Sequence, residues 1–296
     1  TSVGYQAHYS NTTGRNSALG YVALRSNTTG TNNTAVGDSA LYSTTTGNYN
    51  TALGQEALQA NTTASNNTAV GYQAGYTNVA AGAQVFVGYK AGYATTNGGG
   101  SSTFVGYEAG LSNTTGGNNT ALGRGSFLDN TTGSNNVGLG YDALANNTTA
   151  SNNTAVGYKA GYSNTTGVHN IAIGATAMQN TTTGLNNTAV GGAALISNTT
   201  GGTNTALGRQ ALYLNTTASN NTAVGFQALY VNTTGAENVA FGAYALDSVT
   251  TGSGNAAIGY GSGNTITTGS KNTILGAYDG NQGGLDIRTS SNNIVL

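Results

Sequence analysis

The sequence predicts an all-β fold, a parallel β-solenoid built from coils of 17 residues. One glycine recurs at an almost constant step along nearly the whole chain of 296 residues. Proline, cysteine and tryptophan are absent, and only 6% of the residues are charged. A strict short period over a long chain is typical of stacked repeats, in which each repeat packs on its neighbours. Each period is therefore expected to form one coil of a solenoid.

The recurring glycine, called the marker glycine, divides the chain into about seventeen coils. The step is 17 residues, apart from a first step of 16 and a step of 18 between Gly88 and Gly106. The marker glycines are Gly4, Gly20, Gly37, Gly54, Gly71, Gly88, Gly106, Gly123, Gly140, Gly157, Gly174, Gly191, Gly208, Gly225, Gly242, Gly259 and Gly276. This period assigns residues 1–276 to the solenoid. Residues 277–296 are expected to form a C-terminal cap or a junction to a further domain.

The three residues before each marker glycine are expected to form a short strand. Thr34, Ala35 and Val36 are typical, because β-branched and small residues bounded by Asn and Gly indicate a strand. These residues are apolar or small at consecutive positions, so both faces of the strand are expected to be buried. A single coil is too thin to cover both faces. Packing against other chains is therefore expected on the second face.

Two further segments complete each coil. Ala40 and Leu41, three and four residues after a marker glycine, are expected to lie in a second short strand. The NTTG segment, as at 27–30, is expected to be a turn in which Asn and Gly take positive φ and Thr hydroxyls bond local backbone. The coils from Thr77 to Thr103 lose this segment and contain Gly98, Gly99 and Gly100. A bulged turn is predicted there.

Asparagine recurs four residues before the marker glycine, and this position is called the ladder position. Equivalent residues of stacked coils lie about 4.8 Å apart, a spacing at which asparagine amides hydrogen-bond to one another. A structural ladder is therefore expected at Asn33, Asn50, Asn67, Asn119, Asn136, Asn153, Asn187, Asn204 and Asn221, with Gln84 and Ser102 as replacements. Asn-x-Thr also matches the N-glycosylation pattern, an alternative that the sequence leaves open.

Composition and charge argue against most chemical functions. The net charge of −1 gives no electrostatic footprint for nucleic acid or an anionic membrane. No apolar run approaches the roughly 18 residues of a membrane-spanning helix, so neither nucleic-acid binding nor membrane insertion is expected. His8, His169 and the dispersed acids match no metal-ligand or catalytic carboxylate pattern. No enzyme activity and no cofactor are expected, and Lys90 is expected to form a weak surface ion pair with Glu108.

Tyrosines supply the candidate recognition surface. A tyrosine follows the marker glycine in eight coils, and others lie four residues further on. One interpretation is a stacked aromatic ladder that covers the strand edge. The other is a stripe that binds sugars, for which the candidate residues are Tyr76 and Tyr93.

The repeat motifs resemble those of known fibrous proteins. NTAVG followed by NTTG resembles the repeats of bacteriophage tail fibres, and SVGYQA or NTAVG is similar to the head repeats of trimeric autotransporter adhesins. The stretch Gly280 to Leu296 resembles the segment before an intramolecular chaperone domain in phage fibres. The resemblance implies a left-handed β-roll, a homotrimer, and a fibre or adhesin shaft. Such a shaft lies outside the cell or on a virion and contributes to binding host-surface polysaccharide.

Two other functions remain open at this stage. Columns of Thr from the NTT segments are typical of an ice-binding solenoid, although these residues are expected in turns and not on a flat strand face. A self-assembling extracellular filament, in which coil ends stack between chains, is the third possibility. The C-terminal segment with Asp286 and Arg288 resembles a cap or domain junction, which argues against the filament.

Overall fold

The computed structural model describes residues 1–96 and 100–296, and these residues contain no helix. The predicted parallel β-solenoid is confirmed, because one short strand recurs in each coil and pairs in parallel with the strand of the next coil. The chain divides into two compact units, Thr1–Ser151 and Asn152–Leu296. In the predicted bulged turn, Gly98 and Gly99 lie outside the described residues.

The first unit contains one parallel ladder in chain order. Thr34, Ala35 and Val36 pair with Thr51, Ala52 and Leu53, which is a shift of one coil. The same register joins the other neighbouring strands of the unit. The strands are β1 (Ser2–Val3), β2 (Ser17–Leu19), β3 (Thr34–Val36), β4 (Thr51–Leu53), β5 (Thr68–Val70), β6 (Val85–Val87), β7 (Thr103–Val105), β8 (Thr120–Leu122) and β9 (Val137–Leu139).

The second unit has the same construction and a different end. Its parallel strands are β10 (Thr154–Val156), β11 (Ile171–Ile173), β12 (Thr188–Val190), β13 (Thr205–Leu207), β14 (Thr222–Val224), β15 (Val239–Phe241), β16 (Ala256–Ile258) and β17 (Thr273–Leu275). An antiparallel hairpin of β18 (Asn281–Gln282) and β19 (Leu285–Asp286) follows. The last strand, β20 (Ile294–Val295), then pairs in parallel with β17. The ladder therefore continues beyond residue 276, where the sequence placed the end of the solenoid.

The marker glycine is required by both backbone conformation and packing. Gly37 has a φ of 133°, which side chains other than glycine rarely adopt. A Cβ atom at this position would lie 2.6 Å from the carbonyl carbon of Gly54 in the next coil. Such a contact is impossible without moving the backbone, so each coil can stack on the next only where this position is glycine.

The core of each coil is filled from three positions. The central strand residue, such as Ala35, is fully buried, whereas its neighbours Thr34 and Val36 point outward. Ala40 and Leu41 are also fully buried. In the coils that carry Phe86 or Phe104 at the strand centre, glycine replaces the usual leucine of the neighbouring core position.

The predicted second strand around Ala40 and Leu41 is wrong. Ser39 and Leu41 have φ values of 57° and 51° and are left-handed, whereas Ala40 between them is not. The backbone of this segment is therefore not an extended strand. Two successive tight turns follow, in which Tyr42 N–H donates to the carbonyl of Ser39 and Thr44 N–H donates to that of Leu41. The chain must reverse within a few residues to begin the next coil, and this curl accomplishes the reversal.

The NTTG segment is a turn; Gly14 has the predicted positive φ, but the predicted local geometry is wrong at 27–30. Asn27 and Gly30 do not have positive φ; the left-handed residue is Asn32, with a φ of 57°. A Cβ atom on Gly30 would contact the carbonyl oxygen of Gly47 in the next coil, but alanine occupies the equivalent position at Ala64, Ala150 and Ala218, so glycine is not essential there. The hydroxyl of Thr28 donates to the carbonyl of Thr45, 3.1 Å away, so it also bonds the next coil and not the local backbone.

Candidate functional site

The ladder position forms a buried column of hydrogen-bonded asparagines. Asn33 Oδ1 accepts hydrogen bonds from the backbone N–H of Asn50 at 2.9 Å and from its Nδ2 at 3.1 Å. Asn33 Nδ2 donates to the carbonyl of Gly47 at 2.8 Å. Every residue of the predicted set is buried: Asn33, Asn50, Asn67, Asn119, Asn136, Asn153, Asn187, Asn204 and Asn221. Glycosylation of these amides would require each coil to open.

Gln84 and Ser102 keep this column connected across the coil of 18 residues. Gln84 Oε1 accepts a hydrogen bond from the backbone N–H of Ser102 at 2.9 Å. Its Nε2 donates to the carbonyl of Gly100 at 2.7 Å. Ser102 Oγ then accepts from the N–H of Asn119 at 3.2 Å. The longer side chain of glutamine spans the extra residue, so this departure from the consensus preserves the hydrogen bonding.

A second buried asparagine column was not predicted from the sequence. It is formed by the first residue of the NTTG segments, where Asn130 Nδ2 donates to Asn113 Oδ1 at 2.6 Å and Asn232 Nδ2 donates to Asn215 Oδ1 at 2.9 Å. Each amide also donates to the carbonyl three residues later, as from Asn113 to Gly116. The local turn alone explains an asparagine at this position, so no separate signal for the column was present in the sequence.

Tyrosines form stacked rows on the outside of the coils. In the row that follows the marker glycine, the ring of Tyr89 lies 5.5 Å from that of Tyr72 and 4.9 Å from that of Tyr107. The candidate recognition residues Tyr76 and Tyr93 stack on each other with ring centroids 5.2 Å apart and an interplanar angle of 6°. Burial, followed by the charge of Glu56, raises the pKa of Tyr76 above its ordinary value.

Cations lie over these rings. Lys90 Nζ lies 5.4 Å from the ring centroid of Tyr89 and 5.5 Å from that of Tyr93, distances typical of a cation–π contact. The predicted ion pair between Lys90 and Glu108 does not form, whereas Arg288 and Asp286 form an ion pair at 2.7 Å. Arg124 contacts two rings in the same way and donates to the hydroxyl of Tyr141 at 2.7 Å.

This stacking limits how the tyrosines could contact a sugar. Sugar rings bind aromatic side chains mainly through an open ring face, and the facing surfaces of Tyr76 and Tyr93 cover each other. Lys90 lies over one of the two rings. Because the two rings are nearly parallel, their stacking covers one face of each ring. Hydrogen bonds from the hydroxyl groups need no open ring face, so they are an interaction that this pair offers.

In each unit an apolar column lies on the outward face of the strands, directly before the marker glycines. This column is called the outer stripe, and its members are partly or largely exposed; Leu53 is 48% exposed and Phe241 is 55% exposed. In the first unit it comprises Leu19, Val36, Leu53, Val70, Val87, Val105, Leu122 and Leu139. In the second unit it comprises Val156, Ile173, Val190, Leu207, Val224, Phe241, Ile258 and Leu275. The single chain thus buries one face of each strand and leaves the other apolar face uncovered.

Titratable groups are dispersed through the described part of the chain. No group of three or more His, Asp or Glu side chains is placed to hold a metal ion among residues 1–96 and 100–296. His8 contacts Asn16 Nδ2 through its Nε2 at 3.0 Å, and burial lowers its pKa. His169 is the left-handed residue that precedes Asn170, the position where many coils carry asparagine.

The described residues contain no helix long and apolar enough to cross a membrane. In comparisons with family models, curated proteins and solved structures, nothing matches this chain. The fold and its surfaces are therefore the basis for a functional proposal.

Proposed function

We propose that this chain is the structural shaft of a fibre or adhesin, most specifically of a phage tail fibre. The shaft is a left-handed homotrimer that lies on a virion or outside the cell. The observation that carries the proposal is the buried Asn column, which joins Asn33 to Asn50 and continues in the same way in both units. Most coils add the same hydrogen bonds, so such a shaft gains length by repeating one unit.

The outer stripe supports the trimer. A soluble chain rarely leaves a long apolar row open to water, and such rows are typical of interaction surfaces. Light scattering on the purified chain tests the association, since a trimer would have three times the chain mass of 29.4 kDa. A monomer at micromolar concentration would contradict the trimer and with it the proposed shaft.

In this function the solenoid provides length and a repeated surface for binding. A rigid trimer presents each surface group three times, and repeated weak contacts with a host-surface polysaccharide gain avidity from this multivalency. Tyr76 and Tyr93 are the proposed contact residues, with their hydroxyl groups as the hydrogen-bonding atoms. No cofactor takes part in this proposal.

An ice-binding solenoid is a second candidate, and one observation favours it. The residue three before the marker glycine points outward from the strand and is threonine in most coils, as at Thr188, Thr205 and Thr222. A column of threonines on a flat strand face is a better surface for ordering water than the NTT turns are. A thermal-hysteresis assay tests it, and freezing behaviour equal to that of an inert protein would exclude ice binding.

A further inference from the structure

We propose that the outer stripe is the surface through which three copies of this chain associate. The three stripes meet at a common axis that runs in the direction in which the coils stack. This inference rests on the proposed trimeric shaft and assigns its interface. The observation behind it is the burial pattern of the strands. In β3 the central residue is buried and Val36 faces outward, and β13 repeats this arrangement with Leu207 outward.

The chemistry of the outward strand face fits contact between protein chains. None of the sixteen stripe positions is charged; all are Val, Leu or Ile except Phe241. The flanking outward column, three residues before the marker glycine, is also uncharged and is mostly Thr, Val or Ile. Acidic and basic side chains lie in other columns, such as that of Lys90, Glu108 and Asp142. Copies could therefore approach along this face without burying a charge.

The stripe supplies a large share of the apolar area that a stable interface needs. A fully buried aliphatic side chain is worth 1.5–3 kcal/mol at about 25 cal/mol per Å², so one that is about one-third exposed leaves roughly 30 Å² uncovered. The eight stripe residues of one unit then expose roughly 240 Å² of apolar surface. A standard interface buries about 800 Å² on each partner, of which a little more than half is apolar. Each unit thus supplies about half of the apolar part of a standard interface.

The spacing of the stripe indicates that the occupant is another copy. Stripe residues repeat once per coil, about 4.8 Å apart. A partner can match such a row side chain for side chain only if its own surface has the same repeat. A second copy of this chain has that repeat over the same length, and parallel copies place equivalent coils at the same height. Because the stripe is one residue wide, it suits convergence of three chains at an axis better than a broad face-to-face dimer.

The test compares charges placed on the stripe with the same charges placed elsewhere. Val190 and Leu207 lie in neighbouring coils of the stripe, and both are 37% exposed. Leu185 and Leu214 belong to the same unit but lie outside the stripe, and they are 45% and 36% exposed. The stripe variant is Val190→Lys with Leu207→Lys, and the matched control is Leu185→Lys with Leu214→Lys. Mass is measured by light scattering and folding by far-ultraviolet circular dichroism.

The wild-type chain and the control variant are expected to have three times the chain mass, and the stripe variant is expected to fall threefold to the mass of one chain. A milder pair, Val190→Thr with Leu207→Thr, uses a residue common on this strand face, so its coils should fold. It is expected to dissociate at a concentration at least tenfold higher than the wild type.

Three results would overturn the assignment of the interface. A stripe variant that stays trimeric would place the contact on another surface while leaving the trimeric shaft standing. Equal loss of mass in the stripe and control variants would show a general effect of added charge. A monomeric wild-type chain would overturn the interface and the proposed shaft together.

Discussion

The phenyl ring of Phe86 occupies the space that a side chain at residue 75 would need. A Cβ atom added to Gly75 would lie 2.5 Å from Phe86 Cδ2, and one added to Gly92 would also clash with this ring. In most other coils the same two core positions hold a small strand residue and a large turn residue, as in Ala35 and Leu41. The core therefore keeps its volume by exchanging a large residue at one position for a small residue at the other.

Replacing Phe86 alone should open a cavity that its glycine neighbours cannot fill. We expect Phe86→Ala to lower the free energy of unfolding by about 3–5 kcal/mol. Adding Gly75→Leu should recover part of this loss, because Phe86 is the ring that fills the space next to residue 75, whereas Gly92 must stay glycine beside Phe104. Denaturant unfolding followed by circular dichroism measures both variants. A double variant no more stable than Phe86→Ala would refute the exchange of volumes.

Substitution of a marker glycine should disrupt stacking between coils. Gly37→Ala adds a Cβ atom against the backbone of Gly54 and forces an unfavourable φ, so a loss of more than about 4 kcal/mol is expected. Gly192 is the control, since no atom lies within 4 Å of its added Cβ and its φ is not positive. Gly192→Ala should change stability by less than about 0.5 kcal/mol. Thermal unfolding of the two variants makes the comparison, and similar losses would contradict the explanation.

The second Asn column has a gap that can be closed. Asn27 Oδ1 is buried without a hydrogen-bond donor, because Thr44 occupies the next position of the column. Thr44→Asn would supply an Nδ2 donor to Asn27 and an Oδ1 acceptor to Asn61, whose amide now bonds the Thr44 hydroxyl at 3.3 Å. A gain of about 1 kcal/mol is expected. Thr46→Asn on the surface is the control, and equal effects on the unfolding midpoint would argue against the ladder.

The hydroxyl groups of Tyr76 and Tyr93 should carry the proposed polysaccharide contact. Replacing both with phenylalanine keeps the stacked rings and removes only the hydroxyls, so we expect loss of binding with an unchanged fold. Tyr213 and Tyr230 form the equivalent stacked pair in the second unit, with ring centroids 5.0 Å apart, and serve as the control. Binding to immobilised host polysaccharide is the measurement. Unchanged affinity of the Tyr76 and Tyr93 variant would remove these residues from the recognition surface.

The exposed Asp286–Arg288 pair predicts a pH dependence for the C-terminal hairpin. Hydrogen bonds from the Arg288 side chain and backbone lower the pKa of Asp286 from 3.8 to about 2. Because the folded pKa lies below the ordinary value, the contribution of the pair is complete above pH 3.8 and is lost as the pH falls through about 2. Titration of the Asp286 carboxyl carbon by NMR checks the value. In Arg288→Gln the pKa should return toward 3.8, and no change would exclude this pair as the cause.

The period and the strands could be predicted from the sequence, since Thr34, Ala35 and Val36 carry local strand propensity. The curl around Leu41 could not, because a leucine with positive φ contradicts local preference and is imposed by the closing of the coil. The ladder at Asn33 had a signal in its strict spacing. The role of Asn27 was hidden, because a turn alone accounts for an asparagine there. The joint replacement of Phe86 and Gly75 was visible in the sequence but has meaning only when the two positions are known to touch.

The side chain of Asn33 gives the chain a direction of assembly. Its Oδ1 and Nδ2 are both satisfied by the following coil, through Asn50 and Gly47, and not by the preceding one. The side-chain amide of Asn33 therefore has no hydrogen-bond partners until the next coil has docked. Until then, this amide is a template for the docking of that coil. Folding can then advance from the amino end as synthesis proceeds. At the carboxyl end, residues 290–293 supply the hydrogen-bond partners of the Asn272 side chain, so an engineered truncation there must supply equivalent partners.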